Sequence, residues 1–356
     1  DSIPESKIDK LFKKFNTPFY LSEAPLFRAK LIKLDDGKAF LMIAMHHIIS
    51  DGTSLSILAQ ELSKFYNDET INKLSIDYKD YSVWENKAIS SGELKDSEDY
   101  WLNQFNGDIP VLNMPITGER PLVQSFDGNK VNYILDKELT EKLFSISQNL
   151  GVTPYMLLLS VYYVLLYKYT EQEDIVVGTP IINRNSAELY NIIGMFVNSL
   201  PLKANIDSNL RFIDFLKQIK SICLDAYKYQ NYPFDKLVAN LNLTRDTSRN
   251  PLFDTMFIYQ NNGIPQINFK DIKSRYYIPD TNISKFDLSL EVIPKNEMLN
   301  LSFEYATKLF EKSFIENFAN HYSNILHVVL DNLDIKLSSI DMLSEKERNT
   351  ILYDFN

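Results

Sequence analysis

The spacing of apolar side chains changes period several times along the chain, and each change marks an element. Residues 5–16, ESKIDKLFKKFN, set Ile8, Leu11, Phe12 and Phe15 three or four positions apart, which predicts a short amphipathic helix. Alternation takes over in LFRAKLIKLDDGKAFLMIAMHH, broken at Asp36-Gly37, and two strands joined by such a turn pair antiparallel. Helical spacing returns over 53–67 and 77–106, where Trp84 and Trp101 are expected as core anchors. From about 107 to 125 no period is sustained and three prolines and two glycines intervene, so this stretch reads as a crossover between lobes. A strand near 129–135 follows, then a helix with Asp136 as N-cap and Gly151 as stop. A continuously apolar helix over 153–170, the strand DIVVGTPII (174–182) and a final amphipathic helix, EKSFIENFANHYSNILHVVLDNL, complete the pattern.

Helices alternating with strands in this way predict an α/β (α+β layered) fold with mixed sheets covered by helices. A chain of 356 residues fits two lobes rather than one core, here divided as 1–115 and 116–356, the second ending in a linker toward a next domain. The longest apolar stretch, 155–167, carries Ser160 and several tyrosines and is too short to span a bilayer, so no membrane partner is expected.

Composition adds exclusions. Hydrophobic residues make up 45% and charged residues 24%, the balance of a globular protein. A net charge of −10 without a basic stripe argues against nucleic acid as a partner, although a local basic patch remains compatible with acidic partners. The single cysteine, Cys223, lies in the helix-patterned FLKQIKSICLDAY with no base beside it, which points to a buried structural thiol and a reducing, cytoplasmic setting. The opening DSIPESKIDK has neither an initiator Met nor a signal pattern and reads as the cut edge of a longer polypeptide.

The candidate chemistry sits in KAFLMIAMHHIISDG. An apolar run over 40–45 delivers His46 and His47 and then turns at Ser50, Asp51 and Gly52. Neighbours on a strand point to opposite faces, so one ring packs and the other acts. A metal pair belongs at i and i+4 on a helix, and the chain has only four histidines, so no metal is expected. Asp51 either orients a ring or holds the loop through a buried ion pair, and Gly52 offers an N–H with no side chain in front of it. Two satisfied histidines at a strand end are the structural alternative.

HHIISDG fits the pattern HHxxxDG, and four further stretches follow in order: YKDYSVW (78–84), IGMFVNSLPL (193–202), YQNYPFDKLV (229–238) and RDTSRNPLF (245–253). Together they resemble the condensation domains of nonribosomal peptide synthetases, in the chloramphenicol-acetyltransferase-like superfamily, over essentially the whole chain. The resemblance implies two acyltransferase-like lobes, the first incomplete because the family's earlier motifs lie ahead of Asp1. It also implies peptide-bond formation between two thioesters carried on 4′-phosphopantetheine arms, with no cofactor bound directly. The implied partners are upstream donor and downstream acceptor peptidyl carrier domains and an adjacent adenylation domain.

Carried residue by residue, His47 positions the attacking amine and takes its proton, the Gly52 N–H helps hold the oxyanion, and His46 packs inward. Arg184, at the end of DIVVGTPIINR, pairs with Asp51; an unpaired buried carboxylate is costly and a bidentate guanidinium satisfies it, which makes Asp51 a brace. Asn198 and Tyr232 are expected along the substrate tunnel. NYPFD and RDTSRNPL resemble the subtype joining an L-donor to an L-acceptor. An epimerisation domain shares HHxxxDG, and a catalytically silent docking domain shares the fold but tends to lose the second histidine.

Overall fold

The structure is a computed structural model that describes residues 7–34, 37–244, 246–260, 267–277 and 282–354. The chain forms two compact units. The first comprises Asp1–Ser91, Ile182–Val197 and Asn262–Thr281, and the second Gly92–Ile181, Asn198–Asn261 and Asn282–Asn356.

In the first unit, helix α1 (Ile8–Phe15) lays Ile8, Leu11, Phe12 and Phe15 against Ile32, Leu34, Phe40 and Met42. Strands β1 (Phe27–Lys33) and β2 (Ala39–Met45) pair antiparallel with Ile32 opposite Phe40 and Leu31 opposite Leu41. Side chains alternate across a strand, so Ile32 and Phe40 meet α1 while Leu31 and Leu41 face outward. Gly37 takes φ 81°, a conformation costly for residues with a Cβ; Asp36, the other half of the expected turn, lies outside the described residues. Helices α2 (Gly52–Tyr66) and α3 (Tyr78–Ser91) follow. Segment 267–277 also belongs here: the Asn268 N–H donates to Ser63 Oγ at 2.9 Å, and the rings of Phe269 and Tyr66 lie 4.4 Å apart.

The single helix expected over 77–106 is two. After Ser91 the backbone turns at Gly92, φ 79°, and helix α4 (Lys95–Gln104) starts anew in the second unit. Trp101 is 2% exposed, with its indole N–H donating to the Tyr229 carbonyl at 2.9 Å. Trp84 is not a core anchor: it is 46% exposed, because Tyr81 occupies the inner side of α3, and Trp84 lies on the outer rim of that ring.

The second unit is built on six strands, β3 (Gly128–Leu135), β4 (Asp174–Ile181), β5 (Asn198–Asn205), β6 (Thr255–Tyr259), β7 (Leu288–Lys295) and β8 (Met298–Ala306). They run in the order β3-β8-β7-β6-β4-β5, with β6 parallel to both its neighbours. Its further helices are α5 (Lys137–Asn149), α6 (Pro154–Thr170), α7 (Phe212–Lys228), α8 (Phe234–Asn240), α9 (Lys312–Asp331) and α10 (Glu345–Asn349). Asp136 caps α5 by accepting from the Leu139 N–H at 2.8 Å. Helix α6 is buried at every position from 156 to 166, and the hydroxyls of Tyr162 and Tyr163 in it and of Tyr322 beside it find partners there. Tyr163 donates to the Leu202 carbonyl at 2.7 Å, Tyr162 bonds Thr255 at 2.6 Å, and Tyr322 of α9 donates to the Leu158 carbonyl at 2.9 Å. No single helix among the described residues is long and apolar enough to cross a membrane. Burial pushes the Cys223 thiol up to about 12.

These units do not follow one cut at 115/116. Trp101, Phe105 and Leu112 join the core of the second unit and draw residues 92–115 with them, while residues 182–197 cluster with the first.

A charge cluster in the second unit gives a testable consequence. Arg120 pairs with Asp287, Arg249 pairs with Asp254 at 2.6 Å, and Asp254 Oδ1 is buried without a partner. Burial, and then the Asp287 carboxylate, push Asp254 up to about 6 against the pull of Arg249 and Arg120. The folded state therefore binds this proton more tightly than the unfolded chain, so its contribution is fully present below about pH 4 and is lost as pH rises through the folded value. Asp254→Asn should gain melting temperature relative to the parent as pH is raised across that window. Parallel melting curves at every pH would remove the assignment.

Candidate active site

Strand β2 stops at Met45, one residue before the histidines. His46 is extended (φ −73°, ψ 138°) and caps a single 3-10 turn, His47–Ile49, its Nδ1 accepting from the Ile48 N–H at 3.1 Å. That acceptor role places the proton of the neutral ring on Nε2. Edge-on contact with Phe19, centroids 6.2 Å apart, braces the same ring, and Phe19 carries the Arg28 guanidinium at 3.9 Å. His47 opens the turn and is exposed, and among the described residues no side chain bonds its ring. The rings differ in surroundings because the chain leaves extended geometry between them. Strand alternation is not the cause.

Asp51 is the N-cap of α2, and its side chain is fully buried. Oδ1 accepts from the Ser54 N–H at 2.8 Å and from Ser54 Oγ at 2.7 Å, while Oδ2 accepts from the Phe196 N–H at 3.2 Å. Arg184, also fully buried, brings Nη2 to 3.0 and 3.1 Å of the two carboxylate oxygens. This is not the two-nitrogen fork expected from sequence. Nη1 turns away to the carbonyls of Leu189 and, at 2.8 Å, Ile192; Nε has no partner; and the guanidinium lies 4.0 Å over the Phe196 ring. One cation thus ties the start of α2 to the loop over 189–196, and the side chain is fully buried.

Gly52 is the first residue of α2, where backbone N–H groups lack helical acceptors. A Cβ there would meet nothing within 4 Å, so no neighbouring group crowds that side of the residue.

Asn198 and Tyr232 lie in the second unit, and their polar atoms are used inside it. Asn198 Nδ2 donates to the carbonyls of Gln230 and Tyr232, both at 2.8 Å, and Oδ1 accepts from the N–H groups of Ser199 at 2.9 Å and Phe234 at 3.1 Å. All four capacities of the amide are filled, so it staples the turn between α7 and α8. Tyr232 is 5% exposed; its hydroxyl donates to Glu98 at 3.0 Å and accepts from Asn240 at 2.8 Å. Burial and the Glu98 carboxylate push that phenol up to about 12.

Sequence reasoning missed Ser54, Gly194 and Phe196, although the stretches holding the last two were singled out. A Ser three residues after an N-cap Asp is the available signal, since that position faces back toward the cap. In the first unit a surface cleft of about 410 Å³ is lined by Glu61, Leu74, Asp77, Tyr78, Asn191 and Ile192, among others, and by none of the residues singled out as site residues from sequence. No group of three or more potential metal ligands clusters among the described residues.

With this geometry established, comparison with known proteins is direct. A family model described as Condensation domain matches residues 1–352. Gramicidin S synthase 2 of Brevibacillus brevis is 43% identical over 352 residues, covering 99% of this chain and 8% of that synthase. Bacitracin synthase 3 of Bacillus licheniformis is 42% identical over 354 residues, covering 99% of this chain and 6% of that one. The chain thus spans less than a tenth of the length of these curated relatives. Among solved structures, a four-domain nonribosomal peptide synthetase bound to AMP and glycine matches with a TM-score of 0.89 at 22% identity, covering 98% of this chain and 28% of that one. That likeness shows a shared α/β fold, and the family model with the two synthases shows kinship in sequence: the chain belongs to the condensation-domain family of nonribosomal peptide synthetases.

Proposed function

We propose that this chain forms a peptide bond between two carrier-bound thioesters. The α-amine of an aminoacyl thioester on the downstream acceptor carrier attacks the thioester carbonyl of the upstream donor. A C–N bond forms, the C–S bond breaks, and the donor phosphopantetheine thiol leaves with the proton that the amine loses. His47 orients the amine, takes that proton as the adduct collapses and returns it to the departing sulfur. The Gly52 N–H stabilises the oxyanion, aided by the positive end of α2. Asp51 and Arg184 brace the turn and take no proton. The reading includes an L-donor and an L-acceptor, on the resemblance of NYPFD and RDTSRNPL to that subtype, and an adenylation domain next to the acceptor carrier.

The observation that carries the proposal is the contrast between the two rings: His46 is engaged by backbone and Phe19, while His47 is exposed at a turn anchored to a fully buried ion pair. A free α-amine has a pKa of about 7.7 to 8.0, so the base has a light task, and orientation of the two arms supplies most of the acceleration, about 7–11 kcal/mol.

The test uses the parent synthetase with both carriers loaded. Dipeptide on the acceptor carrier is the expected product. An inverted stereocentre without a new bond would replace the proposal with epimerisation, and neither product would replace it with docking.

A further inference from the structure

Ser54 has no place in the reaction just described, yet its hydroxyl meets four polar partners beside Asp51. It is fully buried, with Oγ 2.7 Å from Asp51 Oδ1, 2.9 Å from the Gly194 carbonyl, 3.0 Å from the Gly194 nitrogen and 3.3 Å from Arg184 Nη2. A hydroxyl has one proton and two lone pairs. The Gly194 N–H and Arg184 fill the lone pairs, so the proton goes to Asp51 or to the Gly194 carbonyl and every capacity is used.

The other side of Gly194 is closed. A Cβ there would approach Tyr78 Cδ2 to 2.1 Å, and the Tyr78 hydroxyl donates to the Met195 carbonyl at 2.8 Å. The backbone at 194–195 is therefore held between a ring and a hydroxyl. From this clamped stretch the Ile192 carbonyl receives Arg184 and the Phe196 N–H reaches Asp51. The Asp51 backbone continues directly from the turn bearing His47, whose carbonyl accepts from the Ser50 N–H at 3.3 Å.

We infer that Ser54 is a positioning residue for His47: its hydroxyl locks the loop over 192–196 to the start of α2 and so fixes the turn from which the imidazole projects. The role rests on the condensation reading for its chemical consequence, and on geometry alone for the placement of the ring.

Two readouts separate those dependencies. In this chain, the His47 ring signals, assigned by their loss in His47→Ala, are followed by NMR through a pH titration in Ser54→Ala and Ser54→Thr. Ser54→Ala should move the ring's shifts and titration midpoint, and Ser54→Thr, which keeps the hydroxyl, should lie closer to the parent. In the parent synthetase, Ser54→Ala should lower the single-turnover transfer rate about 10- to 100-fold, the scale of a misplacement near 1 Å, with the half-saturating acceptor-carrier concentration nearly unchanged. Unmoved His47 signals in Ser54→Ala overturn the inference, as does a Thr variant no closer to the parent than Ala. A parent that makes no dipeptide defeats the condensation reading instead, while the ring signals still decide the placement.

Discussion

Arg184→Ala is expected to lower the unfolding free energy by about 3–5 kcal/mol, the cost of leaving a buried carboxylate without its cation. Asp51 would keep three hydrogen bonds, from the Ser54 N–H, Ser54 Oγ and the Phe196 N–H, but not its counter-charge. The carbonyls of Leu189 and Ile192 would lose their donor at the same time, and the Phe196 ring its covering cation. Arg184→Lys should recover only part of the loss. An ammonium is a point charge and cannot serve a carboxylate and two carbonyls while stacking on a ring. Adding Asp51→Ala to Arg184→Ala should cost less than the sum of the singles, with a coupling of about 0.5–3 kcal/mol. Denaturant midpoints with their slopes measure all four species, and an Arg184→Ala midpoint equal to the parent's would show that the pair contributes nothing to the fold.

The parts of this fold legible in the sequence are those written in local period. The β1–β2 hairpin, the capped start of α5 and the buried α6 follow from alternation, an Asp before a helix and an unbroken apolar run. Where two elements share one period the sequence misleads. The helical pattern over 77–106 continues through Gly92, yet φ 79° there ends α3, and Trp84 falls on the outer side because Tyr81 already fills the inner one. Long-range placement was legible only through resemblance. Asp51 and Arg184 are 133 positions apart, and no spacing rule joins them. The stretch IGMFVNSLPL shows how a motif can be found and its members misread. A polar Asn198 attracts attention as a site residue, yet its amide is filled by backbone, while Gly194 and Phe196, which carry no side-chain hydrogen-bonding groups, make the contacts to Ser54, Asp51 and Arg184.

His47→Ala should lower the single-turnover rate of dipeptide formation by about 100-fold, the lower end of what a positioned acid–base group contributes. The lower end applies because about half or more of the α-amine is already free near pH 8, and the missing ring then costs orientation and the return of a proton to sulfur more than activation of the nucleophile. The loss should accordingly shrink as pH rises toward 9, where hydroxide more readily accepts the proton that the adduct sheds. Fold should be preserved: the ring is exposed and no side chain among the described residues bonds it. His46→Ala is the contrast. It removes the acceptor for the Ile48 N–H and the edge contact to Phe19, so melting temperature and rate should fall together, with no rescue by pH. If His47→Ala forms dipeptide at the parental rate across this range, the imidazole has no part in the transfer. Proximity of the two thioester arms, with the Gly52 N–H at the oxyanion, would then have to account for the whole acceleration.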